Sequence, residues 1–276
     1  MTLNELYNYS IKKLDFSDCP EFEVQCLFED FLGLKKSQII FNNNKASDED
    51  VKFMENAIKL RKQGQPLQYI LGKWDFYDMT FYVGDGVLIP RPETEMLVDI
   101  ALDYLKDKEN PVVFDLCSGT GCIGLTIAKH LKNSKVFLFE KEDKAFSYLV
   151  KNRDKYKLSN AEIIKCDIFS YDKRNLPQCD ILLSNPPYIE SDEISSLQKE
   201  VQNEPITALD GGKDGLVFYR EICKNWTNSV KKDGMVVFEC GENQTEEIKS
   251  IYKDVSTDNK VYFDFNHIDR TVSFII

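Results

Sequence analysis

The sequence predicts an α/β protein: a mostly parallel sheet flanked by helices, a small helical domain before it, and an antiparallel hairpin at one sheet edge. Three observations carry this. Apolar strand-like runs alternate with helix-like segments from residue 111 to 240, the order that builds a parallel sheet with covered faces. A glycine-rich turn, "SGTGCIG", follows the first of these strands and opens a helix. The last two strand-like runs, "NKVYFDF" and "RTVSFII", have no helix between them and must therefore pair as a hairpin.

Residues 1–72 read as helical and as a domain of their own. "EFEVQCLFEDFLGL" spaces Phe22, Cys26, Phe28 and Leu32 along one helix, with Gly33 as its stop. "SDEDVKFMENAIKLRKQG" begins at the cap candidate Ser47, carries acids in its first turn, and ends in bases before Gly64. "KWDFYDMTFYVGDGVLIP", residues 73–90, alternates aromatic and polar residues around Asp85-Gly86, which marks a linking hairpin at 73–88. The remaining residues, 73–276 with that linker, form the α/β domain. Its strands are "NPVVFDL", "KVFLFE", "AEIIKCDIF", "CDILLSN" and "GMVVFEC". The helices "GCIGLTIAKHL", "DKAFSYLVKNRDKYKL" and "GLVFYREICKNWTNSV" lie between them.

Composition removes several functions. With 276 residues, 42% of them hydrophobic, the chain can bury one large core or two unequal ones. No apolar run is long enough to span a membrane, and the N-terminus lacks a signal-peptide pattern, so a cytoplasmic location is expected. Eight cysteines without a CxxC pair, and only two histidines, point to reduced thiols and no metal site. A net charge of −11 opposes broad binding to nucleic-acid backbones.

The glycine turn points to a ligand. Gly119, Gly121 and Gly124 satisfy GxGxxG between a strand and a helix, and Glu140 lies 21 residues beyond Gly119. Such a turn lets a ligand approach the backbone, and an acid at the next strand end takes ribose hydroxyls. A nicotinamide enzyme and an S-adenosylmethionine enzyme both need these parts. The fourth strand end discriminates between them. It carries Asn185-Pro186-Pro187-Tyr188 rather than a residue suited to hydride chemistry. The prolines end the strand in a stiff, extended turn that projects acceptors beyond it.

With these residues in view, the chain resembles the class I S-adenosylmethionine methyltransferases, and among them the HemK/PrmC family, the glutamine N5-methyltransferases of peptide-chain release factors. "GQPLQYILGKWDFY", "LIPRPETEMLV", "DLCSGTGCIGLTIA", "CDILLSNPPYI", "NEPITALDGGKDGLVFYREI" and "FECGENQ" fall in family order over nearly the whole chain. Asn-Pro-Pro-Tyr alone is shared with nucleic-acid methyltransferases; "PRPETE" with "EPITAL" narrows it.

The resemblance implies a Rossmann-like sheet and S-adenosyl-L-methionine as cofactor. Cys117, Ser118, Gly119, Thr120 and Gly121 would face its methionine and ribose side. Glu140 would take the ribose hydroxyls, and Asp167 and Ile168 would flank the adenine. Asn185 and the Pro186 carbonyl would accept the two N–H bonds of a substrate amide, with Pro187 stiffening the loop and Tyr188 offering a ring face. The "IPRPETE" segment, starting a helix at Glu93 or Thr94, would help close the cofactor pocket. Two positions depart from the family pattern: Cys117 stands where many relatives have glycine, and Glu140 where many have aspartate. The implied partner is a class I release factor, recognised by residues 1–72, with a monomeric enzyme and no nucleic acid or membrane involved. The rivals are a nucleic-acid methyltransferase, the sister enzyme acting on a ribosomal protein, and a nucleotide-binding module without chemistry.

Overall fold

The computed structural model describes residues 1–173 and 175–276, and the elements below are those of the described residues. They group into two compact units, one of Met1–Lys73 with Gln198–Asn203, the other of Trp74–Leu197 with Glu204–Ile276.

The first unit holds helices α1 (Leu3–Lys13), α2 (Pro20–Leu32), α3 (Lys36–Ile39), α4 (Asp48–Lys62) and α5 (Leu67–Leu71). Ser47 caps α4 through a reciprocal box with Asp50, and Gly33 ends α2 in the left-handed conformation at φ 65°. The apolar stripe of α2 differs from the expected one. Val24, Leu27 and Phe28 are buried, whereas Phe22 is 53% exposed, so the inward face lies two residues on from Phe22. The polar centre of this unit is Arg61, 2% exposed. Its Nε and Nη2 donate to the two oxygens of Glu23 at 2.6 and 2.8 Å, and Nη1 donates to the Gln65 carbonyl at 2.6 Å. A third acceptor, Glu200, comes from the distant segment at 2.6 Å.

The second unit opens with the hairpin β1 (Lys73–Phe76) and β2 (Met79–Tyr82). Its turn is Tyr77-Asp78, with Tyr77 left-handed at φ 57°, not the expected Asp85-Gly86, which forms a separate turn after β2. Two residues between strands make the tightest hairpin, and burying Phe76, Met79 and Phe81 sets its register. Then follow α6 (Glu95–Leu105), β3 (Val112–Leu116), α7 (Cys122–His130), β4 (Lys135–Glu140), α8 (Asp143–Tyr156), β5 (Ala161–Lys165) and β6 (Cys179–Ser184). The short α9 (Lys199–Gln202) belongs to the first unit, and α10 (Val217–Trp226), β7 (Val230–Glu239), α11 (Thr245–Tyr252), β8 (Asp258–Phe263) and β9 (Asp269–Ile275) complete the chain. The helix α11 was not anticipated from sequence.

Seven strands form one sheet in the order β5-β4-β3-β6-β7-β9-β8. The first five are parallel, and β9 pairs antiparallel with both β7 and β8. The expected terminal hairpin therefore stands at the sheet edge. Alternation along the strands gives each face its own core. Val113, Leu138, Ile181, Leu183 and Val237 pack with residues of α6, α7 and α8. Phe114, Phe139, Leu182, Val236 and Phe238 meet Tyr219, Trp226 and Tyr252 on the other face. Order reverses between β3 and β6, the switch point beside which ligands bind in open α/β sheets.

One residue on the first face breaks the apolar pattern. Asp115 is fully buried, and its Oδ2 accepts the Gly124 N–H at 2.9 Å. Among the described residues its Oδ1 has no hydrogen-bond partner. Burial pushes its carboxyl up to about 7. Burial likewise pushes Glu239, at the end of β7, up to about 7.

Two outcomes follow from these buried charges. Arg61→Ala leaves Glu23 buried without its cation, which costs on the order of 3–5 kcal/mol; an unchanged urea midpoint would remove the ion pair from this account. Asp115 and Glu239 both have folded values above the unfolded carboxylate value. Their contribution is present below about pH 4 and lost as pH rises through 7, by about 4 kcal/mol for Asp115 at one unit per 1.36 kcal/mol. Asp115→Asn should flatten that part of the slope, leaving the share of Glu239, in urea unfolding compared at pH 5 and pH 8.

Candidate active site

The turn after β3 needs glycine-like backbone at three of five positions. Cys117, Gly119 and Gly121 have φ of 58°, 55° and 81°, a region closed to most side chains. Each glycine of the motif has its own reason. A Cβ on Gly119 would meet nothing within 4 Å, because that side opens into a cavity. One on Gly121 would strike Leu149 at 2.3 Å and Leu125 at 2.8 Å. One on Gly124 would strike Leu138 at 2.7 Å and Asp115 at 2.8 Å, where α7 lies close on the sheet. Cys117 stands in a conformation that a glycine adopts freely.

Neighbouring segments hold the turn in place. Glu140 Oε2 accepts the Gly119 N–H at 2.8 Å, and Oε1 accepts the Glu142 N–H at 2.7 Å. Burial raises the Glu140 carboxyl, and these backbone donors oppose that rise. An ionised carboxylate has about four acceptor positions, so two backbone bonds do not exhaust it. Asn152 of α8 donates to the Thr120 carbonyl at 3.0 Å. After β5, Asp167 accepts the Phe169 N–H at 3.0 Å and pairs with Lys141 at 3.0 Å. Burial works against its ionisation, but these two donors outweigh it and hold the carboxyl below its usual range. The Trp226 indole donates to the Ile168 carbonyl at 3.0 Å, which fixes the next residue.

At the end of β6, Pro186 and Pro187 are buried and Asn185 is half-buried. The loop lies in a cradle of backbone. Ile189 N–H donates to Leu209 O at 2.9 Å, and Gly211 N–H donates back to Ile189 O at 2.8 Å. A Cβ on Gly211 would come within 2.7 Å of Tyr188 Cα, and one on Gly215 within 2.3 Å of Tyr188 O. Gln244 donates to that same carbonyl at 2.9 Å. Asn185 Nδ2 donates to Thr94 Oγ1 at 3.2 Å, and the Thr94 hydroxyl donates to Glu239 Oε2 at 2.5 Å. The "IPRP" approach is tied down by Glu204, 4% exposed, which accepts the Ile89 N–H at 2.9 Å and pairs with Arg91.

These segments enclose a cavity of about 330 Å³ at the carboxyl ends of β3, β4, β5 and β6. Of the expected residues, 117–120, Glu140, Asp167, Ile168, Asn185 and Pro187 line it. Gly121, Pro186 and Tyr188 are not in its lining. Gly121 is taken up by packing against α7 and α8. The Tyr188 ring joins the apolar cluster of the opposite sheet face instead of facing the cavity, and burial, with Glu239 nearby, raises its phenol. The "IPRPETE" segment lines one wall through residues 89–91 and Thr94, with the helix proper starting at Glu95 after a single 3₁₀ turn. Glu204, Gly211, Gly215, Glu239 and Gln244 were not singled out from sequence, and Thr94 only as a helix start. All six lie within "PRPETE", "NEPITALDGGKDG" and "FECGENQ", the segments that carry the resemblance. Among the described residues no group of three or more metal-ligating side chains converges, and no helix is long and apolar enough to cross a membrane.

The chain is similar to known proteins. Residues 5–72 match the PrmC N-terminal domain, and residues 94–221 match the methyltransferase small domain. The release factor glutamine methyltransferase of Thermodesulfovibrio yellowstonii is 36% identical over 244 residues, covering 87% of this chain and 86% of that protein. Its counterpart in Fusobacterium nucleatum is 34% identical over 255 residues, covering 91% and 72%. Among solved structures, the hMettl16 catalytic domain, in complex with the MAT2A 3'UTR hairpin 1, superposes with a TM-score of 0.59 over 90% of this chain and 88% of that one. It is 13% identical, a likeness of fold alone. With relatives this similar along most of both chains, and with a glycine turn, a strand-end acid and an Asn-Pro-Pro-Tyr loop around one cavity, the chain belongs to the family of release factor glutamine methyltransferases.

Proposed function

We propose that the chain binds S-adenosyl-L-methionine in this cavity and methylates the side-chain amide nitrogen, N5, of the glutamine in the Gly-Gly-Gln motif of a class I release factor. The observation that carries the reading is the opening of Gly119, Glu140 and Asn185, from three neighbouring strand ends, onto one cavity. The residues fit the cofactor. The bare side of Gly119 admits close approach to backbone, Glu140 keeps acceptor positions for ribose hydroxyls, and Asp167 with Ile168 gives the adenine a polar edge and an apolar face. When bound, S-adenosylmethionine supplies a methyl group on a sulfonium, already electrophilic.

The task of the protein is then to hold a weak nucleophile. An amide nitrogen has its lone pair delocalised into the carbonyl, so orientation carries much of the catalysis. The Asn185 oxygen accepts one N–H of the substrate amide, and the Pro186 carbonyl accepts the other. Both acceptors stabilise the positive charge that grows on nitrogen as the N–C bond forms and the C–S bond breaks. The methylated nitrogen, once charged, loses its proton readily, so no strong base is required. The buried prolines and the glycine cradle keep the acceptors from drifting. Tyr188 serves this loop through packing rather than by stacking on substrate. Residues 1–72 recognise the substrate protein, and 73–276 carry the chemistry.

Incubation with S-adenosylmethionine and a purified release factor, followed by peptide mass mapping, should place one methyl group on that glutamine, and none after its change to asparagine. Asn185→Ala should lower methyl transfer by at least ~10²-fold, the scale of one lost transition-state partner, with cofactor binding nearly intact by calorimetry. Transfer at the wild-type rate would refute the acceptor role. Gly119→Val should lose the cofactor, since its side chain enters the open space at a φ that β-branched residues avoid. A folded chain beginning at Lys73 should methylate the full-length factor slowly; undiminished activity would show that residues 1–72 do not recognise it.

A further inference from the structure

The Asn185 amide has two ends of nearly equal shape and opposite hydrogen-bonding character. Turned one way it offers the substrate an acceptor; turned over, it offers two hydrogens to an amide that has only hydrogens to give. Shape alone cannot choose between them. The choice lies in Thr94 and Glu239, 1% and 3% exposed. A hydroxyl has one hydrogen. The 2.5 Å contact commits it to Glu239, because an ionised carboxylate can only accept. The remaining lone pairs of Thr94 Oγ1 must then receive a hydrogen from Asn185, and only its nitrogen has one to give, at 3.2 Å. The Asn185 oxygen is left on the other side.

We propose that Thr94 and Glu239 are positioning residues that lock the Asn185 amide with its oxygen toward the substrate nitrogen. The inference rests on the acceptor role of Asn185 proposed above and names what enforces it. Neither residue need touch a reacting atom. Thr94 starts the helix that follows "IPRP", and Glu239 ends β7. Two segments far apart in sequence thus set the orientation of a side chain on a third.

The direction of the chain depends on the charge of Glu239. Burial pushes that carboxyl up to about 7, with Glu93 adding to the rise and Arg270 and Arg91 opposing it. Its other titratable neighbours, Tyr188, Tyr219, Cys240 and Cys122, are held neutral by burial. Protonated Glu239 can donate to Thr94, whose own hydrogen is then released to seek the Asn185 oxygen, and the lock reverses. The turnover rate should therefore rise as pH increases through about 7.

The test compares wild type, Thr94→Val, Thr94→Ser, Glu239→Gln and Asn185→Ala, each first checked for folding by its thermal midpoint and by calorimetric binding of S-adenosylmethionine. Thr94→Val should lower kcat for release factor by roughly fivefold, the worth of one net hydrogen bond, with KM for S-adenosylmethionine within about twofold. Thr94→Ser should restore most of the lost rate. Glu239→Gln, which cannot titrate, should lose the rise near pH 7. If Thr94→Val keeps the wild-type kcat while Asn185→Ala loses it, the lock is refuted and the acceptor role stands. If Asn185→Ala is itself as fast as wild type, the underlying reading has failed. Should Thr94→Val not fold, Glu239→Gln decides alone: a pH step unchanged from wild type overturns the proposal.

Discussion

Everything at this site depends on one constraint. Parallel strands that end at one level leave backbone groups without ladder partners, and buried groups of that kind must be satisfied from elsewhere. Here side chains from adjacent segments do so. Glu140 takes the N–H of Gly119, Asp115 that of Gly124, and Ser184 donates to the Leu116 carbonyl at 2.8 Å. Glu140 ties the end of one strand to the turn of its neighbour, Ser184 joins two neighbouring strand ends, and Asp115 holds the helix that follows its own strand. The cavity walls are held together by the same bonds that complete the sheet edge, so the site is as rigid as the sheet.

The Asn-Pro-Pro-Tyr loop shows the same economy from the other side. Proline gives it stiffness but no donors, so it cannot anchor itself through its own backbone N–H groups. Its placement comes from bonds flanking the prolines. Ile189 pairs with the strand-like run at Leu209–Gly211, and Gln244 holds the Tyr188 carbonyl. The bare faces of Gly211 and Gly215 let that run approach closer than any side chain allows. Three sequence segments that look unrelated in the chain are one structure around four residues.

The parallel sheet and its terminal hairpin were legible because the central strands stand out as apolar runs between helices of clear period; the order of the strands was not read from sequence. The glycine turn, Glu140 and the Asn185 loop were legible because those residue types at strand ends have few other uses. The hairpin turn was misplaced because Asp85-Gly86 is the better turn signal; Tyr77 takes a left-handed φ against its preference, its N–H donating to Glu95 at 2.7 Å and its hydroxyl to Asp99 at 2.8 Å. The register of α2 was misread because Phe22 lies out in solvent while Glu23 turns inward to meet Arg61. Hydrophobicity cannot foresee a buried carboxylate whose partner is 38 residues away. For the same reason Glu204, Glu239 and the bonding of Thr94 were invisible: each acts through a partner about 90 to 145 residues distant.

Asp115, Glu140, Glu204 and Glu239 are buried carboxyls, a costly arrangement for stability alone, and of the four Glu140 is the one that lines the cavity. Each is used to orient a group that cannot orient itself: a turn amide, a backbone approach, the two ends of an asparagine. Burial raises Asp115 and Glu239 toward neutrality, so these two sit where a small change in surroundings alters charge. Glu204 pairs with Arg91. Glu140 faces the cavity, where a ribose would add two more hydrogen bonds to its ionised form. On this view the site is most stable when filled, because the proposed ligand supplies donors to a buried acid.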